Sequence, residues 1–131
     1  LKPTNSTGNN RLWCVNNNTT SIDAYLNGST YNVYMHGGGV GTTTPLIQNQ
    51  YNHIVATYTN GTLQIYINGE AGTMTGTTTG YNITNSGTLY IGSYNTGGYS
   101  LYGNISLFKI YNRGITSTEV KRNYIAYKNR T

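Results

Sequence analysis

One run constrains the fold of this chain more than any other: Q-Y-N-H-I-V-A-T-Y-T-N-G-T-L-Q-I-Y-I-N-G-E, from Gln50 to Glu70. Tyr51 to Tyr58 is rich in β-branched and aromatic residues, and Leu63, Ile65 and Ile67 alternate with Gln64, Tyr66 and Asn68. Period-2 alternation on both sides of Thr59-Asn60-Gly61-Thr62 predicts a hairpin. A two-residue type I′ turn needs positive φ at both central positions, which Asn tolerates and Gly adopts without a Cβ clash. Asn68-Gly69 repeats the device, so a further reversal is expected through Glu70 to Met74. A sheet face made of Leu63, Ile65 and Ile67 needs a second apolar layer, and a second sheet is the usual partner.

Composition decides how that layer pair stays in water. Only 8% of the 131 residues are charged, against about 25% in an ordinary domain; amides and hydroxyls therefore carry the surface. An aromatic share of 12% together with the alternating segments argues for a packed β domain rather than disorder. The length suits one domain. The net charge of +5 gathers in Lys109, Arg113, Lys121, Arg122, Lys128 and Arg130, with Lys2 and Arg11 near the start. A basic end can meet nucleic acid, but no aromatic-basic interleaving and no recognition-helix pattern accompanies it, so no nucleic-acid partner is expected. Membrane insertion is not expected either, because no apolar run approaches the roughly 20 residues of a span. Cys14 stands alone between Trp13 and Val15 and is expected to be a buried small hydrophobe.

Several motifs in order carry a family resemblance. Tyr51-Asn52-His53-Ile54-Val55-Ala56-Thr57-Tyr58, the Asn-Gly turn, Leu63-Gln64-Ile65-Tyr66-Ile67-Asn68-Gly69 and the later Leu89-Tyr90-Ile91-Gly92 resemble the central run of laminin G-like domains. Tyr51 stands where that family usually has Trp. Gly103-Asn104-Ile105-Ser106-Leu107-Phe108-Lys109-Ile110-Tyr111-Asn112-Arg113 resembles the family's last strand, with Ser106 at a position that is often acidic. The resemblance implies an all-β, two-sheet antiparallel jelly-roll sandwich of the concanavalin A-like lectin group with a short C-terminal helix. It also implies that Leu1-Lys2-Pro3-Thr4 ends an early strand, so that residues 1–131 form a single laminin G-like domain lacking its first strands. An unpaired edge left that way invites association.

Elsewhere, strands are expected over Arg11 to Asn16, Ser21 to Leu26, Thr30 to Met35, Tyr81 to Thr84 and Thr88 to Ser93. Gly37 to Gly41 and Thr42 to Pro45 are expected as an irregular connection between sheets. That glycine tract lacks the following helix and the Lys that a phosphate loop needs. Thr116-Ser117-Thr118-Glu119 is a capping box, and Val120, Tyr124 and Tyr127 share a helix face that should pack on the sandwich, leaving Lys121, Arg122 and Lys128 in water.

Catalysis is not expected. The three acids are Asp23, Glu70 and Glu119, of which Glu119 is committed to the cap, and paired carboxylates for glycoside hydrolysis would require Asp23 and Glu70 to meet. His53 is expected to be a structural histidine, hydrogen-bonded in or beside the core. No cofactor and no metal are expected: Ca²⁺ asks for several oxygens with carboxylates among them, and Asp23 alone is unassigned. The candidate contacts for carbohydrate are Tyr94, Asn95, Tyr99 and His36, on segments where rings can stack on sugar CH faces and amides can answer hydroxyls. The expected function is surface adhesion or decoration, with cell-surface glycan or protein as partner. Asn123 to Arg130 resembles the tail of laminin G-like modules on phage and other viral structural proteins, which implies virion structural subunits as further partners and a virion or extracellular location. The alternative is an assembly subunit, a homo-oligomer held through an open sheet edge.

Overall fold

The computed structural model describes residues 1–5, 8–15, 23–27, 30–35, 40–80, 87–94 and 98–130. His36, Asn95 and the expected strand at Tyr81 to Thr84 lie outside them. The described elements are β1 (Lys2–Pro3), β2 (Asn9–Val15), β3 (Ala24–Asn27), β4 (Asn32–Met35), β5 (Val40–Pro45), β6 (Ile54–Thr59), β7 (Thr62–Ile67), β8 (Glu70–Ala71), β9 (Met74–Thr75), β10 (Leu89–Ile91), β11 (Gly103–Asn104) and α1 (Ser117–Lys128). A larger sheet runs in the order β10-β2-β3-β4-β5-β9 and a smaller one in the order β6-β7-β8, with β1 paired to β11. Among the described residues every pairing is antiparallel. This is the expected antiparallel sandwich with a C-terminal helix.

The Gln50 to Glu70 run folds as its turns dictate. Thr59 pairs with Thr62 across Asn60 and Gly61, whose φ values of 50° and 75° are those of a type I′ turn. Asn68 and Gly69 repeat it at 52° and 85°, and Ile67 pairs with Glu70. Leu63, Ile65 and Ile67 are buried. They meet Leu12, Ala24, Leu26, Val33, Met35 and Val40 from the other sheet in one core. The third strand of the small sheet is shorter than expected, because Met74–Thr75 has already crossed to pair with β5.

Two expectations are corrected. Val40–Pro45 is a strand, not an irregular connection, and it pairs with β4 inside the same sheet. Thr42 is buried there, and glycine suits position 41 because any Cβ would lie 2.5 Å from the Tyr34 ring and push it aside. The change of sheet occurs later, where buried Asn52 pins the loop. Its Oδ1 accepts from Ile47 N at 2.9 Å, and its Nδ2 donates to Ile47 O at 2.8 Å and Gln50 O at 2.9 Å. Among the described residues the expected last strand over Gly103 to Arg113 is paired only at Gly103 and Asn104. Beyond Asn104 no described strand lies beside it, so Leu107, Ile110 and Tyr111 stay exposed.

The helix forms as its cap predicts. Glu119 N donates to Thr116 Oγ1 at 3.3 Å, and Glu119 Oε2 accepts from Thr116 N at 2.7 Å. Val120 is buried, Tyr124 and Tyr127 are half-buried against the sandwich, and Lys121, Arg122 and Lys128 are exposed. Arg113 grips Glu119 with two hydrogen bonds, of 2.5 and 3.0 Å. First this Arg113 contact and then the Thr116 backbone donor hold the Glu119 carboxyl below its ordinary 4.5, at about 2. A lowered carboxyl pKa adds stability that is fully present above the unfolded value and is lost as pH falls toward the folded one. An NMR titration of Glu119 should therefore show a midpoint near 2, with the start of α1 loosening between pH 4.5 and 2. Arg113→Gln should move the midpoint upward, and a native midpoint near 4.5 would contradict the grip.

Candidate functional site

Antiparallel pairing places alternate side chains on one sheet face. On β3 and β4, Ala24, Leu26, Val33 and Met35 face the core, so Tyr25 and Tyr34 face outward as a directly opposed pair. Their rings stack at 5.9 Å with an interplanar angle of 24°. Arg11 on β2 is opposite Tyr25, which puts its guanidinium in the same row. A register shift between Arg11 and Trp13 then leaves Leu12 in the core and sets Trp13 opposite Ala24.

The Arg11 guanidinium is clamped from three directions. Its Nη1 donates to Asp23 Oδ2 at 2.9 Å, and its Cζ lies 4.6 Å from the Tyr25 ring centroid and 4.9 Å from that of Tyr94. The Arg11 side chain is 7% exposed and that of Asp23 0%. Burial is the main cause pushing the Tyr25 hydroxyl above its ordinary 10.0, so the ring is neutral at physiological pH. Tyr94 and Gly98 exchange two backbone hydrogen bonds of 2.8 and 3.1 Å. Arg11 N donates to Tyr99 O at 3.0 Å, fastening this segment to β2. Tyr99 takes φ of 51°, a left-handed conformation unusual for a bulky residue. Its ring meets Tyr94 edge-on at 5.6 Å and 85° and is 58% exposed.

The result is a row across the outer face of the large sheet: Tyr99, Tyr94, Arg11, Tyr25, Tyr34, with Tyr34 lying over Gly41. Of the carbohydrate candidates, Tyr94 and Tyr99 are brought together. Sequence reasoning missed Arg11, Asp23, Tyr25 and Tyr34. The available signal was opposite charges, Arg11 on β2 and Asp23 just before β3, in a chain with three acids.

The three carboxylates do not converge. Asp23 pairs with Arg11, Glu70 with Lys121 at 2.7 Å, and Glu119 with Arg113. Among the described residues no group of three His, Cys, Asp or Glu side chains could hold a metal ion. His53 departs from expectation. Its Nδ1 is buried without a hydrogen-bond partner, and its ring instead meets Tyr124 at 6.0 Å and Tyr127 at 6.3 Å. Burial, then the nearby amino terminus, holds its imidazole below the ordinary 6.5, which keeps the ring neutral at pH 7.

Comparison with curated protein sequences gives no match. Among solved structures the chain is similar to an S-layer domain-containing protein (residues 221–444) from Clostridium thermocellum ATCC 27405, at 18% identity and a TM-score of 0.48. That alignment covers 95% of this chain and 66% of the other, so the chain spans just under two thirds of that structure's length. A family model of the laminin G type, described as the concanavalin A-like lectin/glucanases superfamily, matches residues 1–121. With that match over most of its length and an antiparallel sandwich beneath it, the chain belongs to the concanavalin A-like lectin/glucanases superfamily as a laminin G-like domain.

Proposed function

We propose that this domain is a non-enzymatic adhesion module whose contact face is the tyrosine row, and that it takes neutral glycan by stacking. Domains of this superfamily commonly bind carbohydrate or protein and typically work outside the cell or on a surface. No helix among the described residues is long and apolar enough to cross a membrane. The observation that carries the reading is the Tyr99–Tyr94 corner: an exposed ring held edge-on by a second ring, which a clamped guanidinium holds in turn. Rings fixed this way offer apolar area without the entropy cost of ordering a mobile side chain. The Arg11 charge is already spent on Asp23, which favours an uncharged ligand over a carboxylate or phosphate.

His36 and Asn95 stay in the proposal on sequence grounds alone, as polar side chains able to answer sugar hydroxyls. The setting proposed is a virion or other outer surface, supported by the acid-poor composition and the resemblance of the C-terminal tail. The commitment of all three carboxylates to basic partners supports binding without hydrolysis.

A glycan array probed with the 131-residue chain tests this. Tyr99→Ala should weaken binding of any captured glycan by about tenfold or more. Tyr102→Ala, equally exposed at 57% but outside the row, should leave it unchanged. No captured glycan, or equal affinity of native and Tyr99→Ala proteins, overturns the reading. The competing role, assembly of copies through an open sheet edge, is favoured by the place of β6 at the end of the described β6-β7-β8 sheet. A monodisperse monomer in size-exclusion chromatography rejects it.

A further inference from the structure

His53 is fixed from the sandwich side. Its N donates to Asn68 Oδ1 at 2.9 Å and its O accepts from Asn68 N at 2.8 Å, so its backbone cannot follow a moving helix. Tyr124 and Tyr127 of α1 cover its ring from the other side, at 6.0 and 6.3 Å. Tyr124 also lies on Gly69, where any Cβ would come within 2.8 Å of the tyrosine ring, so this half of the helix has a close seat. One turn earlier Val120 is wholly buried, and the Thr116 cap and the Arg113–Glu119 pair hold the first turn. The two halves of α1 are thus held by different chemistry: a cap and ions at the start, rings on a histidine at the end.

A neutral imidazole suits this place and an imidazolium does not. In the neutral ring one nitrogen carries no hydrogen, and the buried, unpartnered Nδ1 can be that nitrogen. Protonation puts an N–H on both nitrogens, which makes Nδ1 a buried charged donor with nothing to accept from it. A cation could gain from the faces of tyrosine rings. Those rings already hold cations: Lys109 Nζ lies 5.1 Å from the Tyr127 centroid, Arg130 Cζ 5.8 Å from the same ring, and Lys128 Nζ 5.8 Å from the Tyr124 ring. On the sandwich side the neighbours are uncharged Asn68 and the Leu1 amino group, one more cation. The chain's three carboxylates are engaged elsewhere, Glu70 with Lys121, Glu119 with Arg113 and Asp23 with Arg11.

We infer that His53 is the latch of an acid-released flap: protonation of its ring drives residues 123–130 off the sandwich while the capped first turn of α1 stays in place. Burial, and to a lesser degree the Leu1 amino group, already holds the imidazole below its ordinary 6.5. For a base lowered in this way, docking is fully stable above 6.5 and weakens as pH falls below it toward the folded value. The start of the helix answers to a lower window, because the Glu119 carboxyl keeps its charge down to about 2. Release uncovers Gly69 and frees Tyr124, Ile125 and Tyr127 with the basic residues beside them, so the domain presents a different surface in mildly acidic surroundings. None of these residues belongs to the tyrosine row, and the latch stands or falls independently of the glycan reading.

Amide hydrogen exchange by NMR tests the latch on the 131-residue chain, read at Tyr124 and Tyr127 and corrected for the pH dependence of intrinsic exchange. Protection at both should fall by about tenfold or more between about pH 7.5 and pH 5, while Val120, whose N donates to Thr116 O at 2.9 Å, keeps its protection. The midpoint of that fall should coincide with the titration of the His53 ring. His53→Phe keeps a ring beneath the tyrosines and removes the proton, so its protection should stay flat over the same range. If that variant does not fold, the coincidence of the two midpoints in the native protein decides. Unchanged protection at pH 5, a His53 midpoint at or above 6.5, equal loss at Val120, or the same acid response in His53→Phe overturns the proposal.

Discussion

Asp23→Asn is expected to destabilise the domain by about 3–5 kcal/mol, because it leaves the Arg11 guanidinium buried without its counter-charge. Both side chains are nearly sealed from water, at 7% and 0% exposure, and Arg11 Nε already lacks a partner. The flanking Tyr25 and Tyr94 rings attract a cation but cannot replace a carboxylate. Against a typical total of about 5–15 kcal/mol the loss is large. Urea denaturation at pH 7 measures it, and the double variant Arg11→Met with Asp23→Leu should recover most of it, since an apolar pair of similar volume has no charge to strand. Glu70→Gln, which breaks the exposed pair with Lys121, should change stability little. Equal losses from Asp23→Asn and Glu70→Gln would show that the clamp is not buried as described. The consequence reaches function: with Arg11 unclamped, Tyr94 and Tyr99 lose their support, so glycan binding should fall although Asp23 touches no ligand.

What was legible in the chain was whatever is decided within a few residues. Asn60-Gly61 and Asn68-Gly69 announce positive φ, and Thr116 with Glu119 announces a cap, because the stabilising groups are local. Alternation of Leu63, Ile65 and Ile67 fixed a buried face for the same reason. Val40–Pro45 misled because glycine and threonine carry little apolar signal. Its strand is made by neighbours, with Tyr34 covering Gly41 and the distant Met74 and Thr75 of β9 pairing with Thr42 and Gly41. Gly103 to Arg113 misled in the opposite sense: its alternation suits a strand, but pairing needs a partner beside it, and β1 supplies two residues. The tyrosine row was half visible. Tyr94 and Tyr99 stood out as rings among small polar residues, while Arg11, Tyr25 and Tyr34 come together only through strand register, which composition does not reveal. His36 and Asn95 lie outside the described residues.

Ile65→Ala should cost about 2–5 kcal/mol, the range for deleting a large aliphatic side chain from a core that cannot close around the gap. Ile65 is 0% exposed at the centre of β7, directly opposite Ala56, so its cross-strand neighbour is too small to fill the space. The backbone is also held against movement: Ile65 O accepts from Gly72 N and from Gln64 Nε2, each at 2.8 Å. Met74, whose Sδ lies 3.4 Å from Ile65 N, is an adaptable side chain beside the site and limits the loss if it swings inward. Ile65→Val removes a single methyl and should cost only about 0.5–1.5 kcal/mol. The decisive contrast is Ile110→Ala, the same deletion at a residue 71% exposed, which should stay within about ±0.5 kcal/mol. Because Ile65 and Ile110 both sit in Ile-Tyr steps of alternating segments, sequence pattern alone would rank them equally. Matching losses in thermal or urea melts would mean that Ile110 is packed against the sandwich in the working protein.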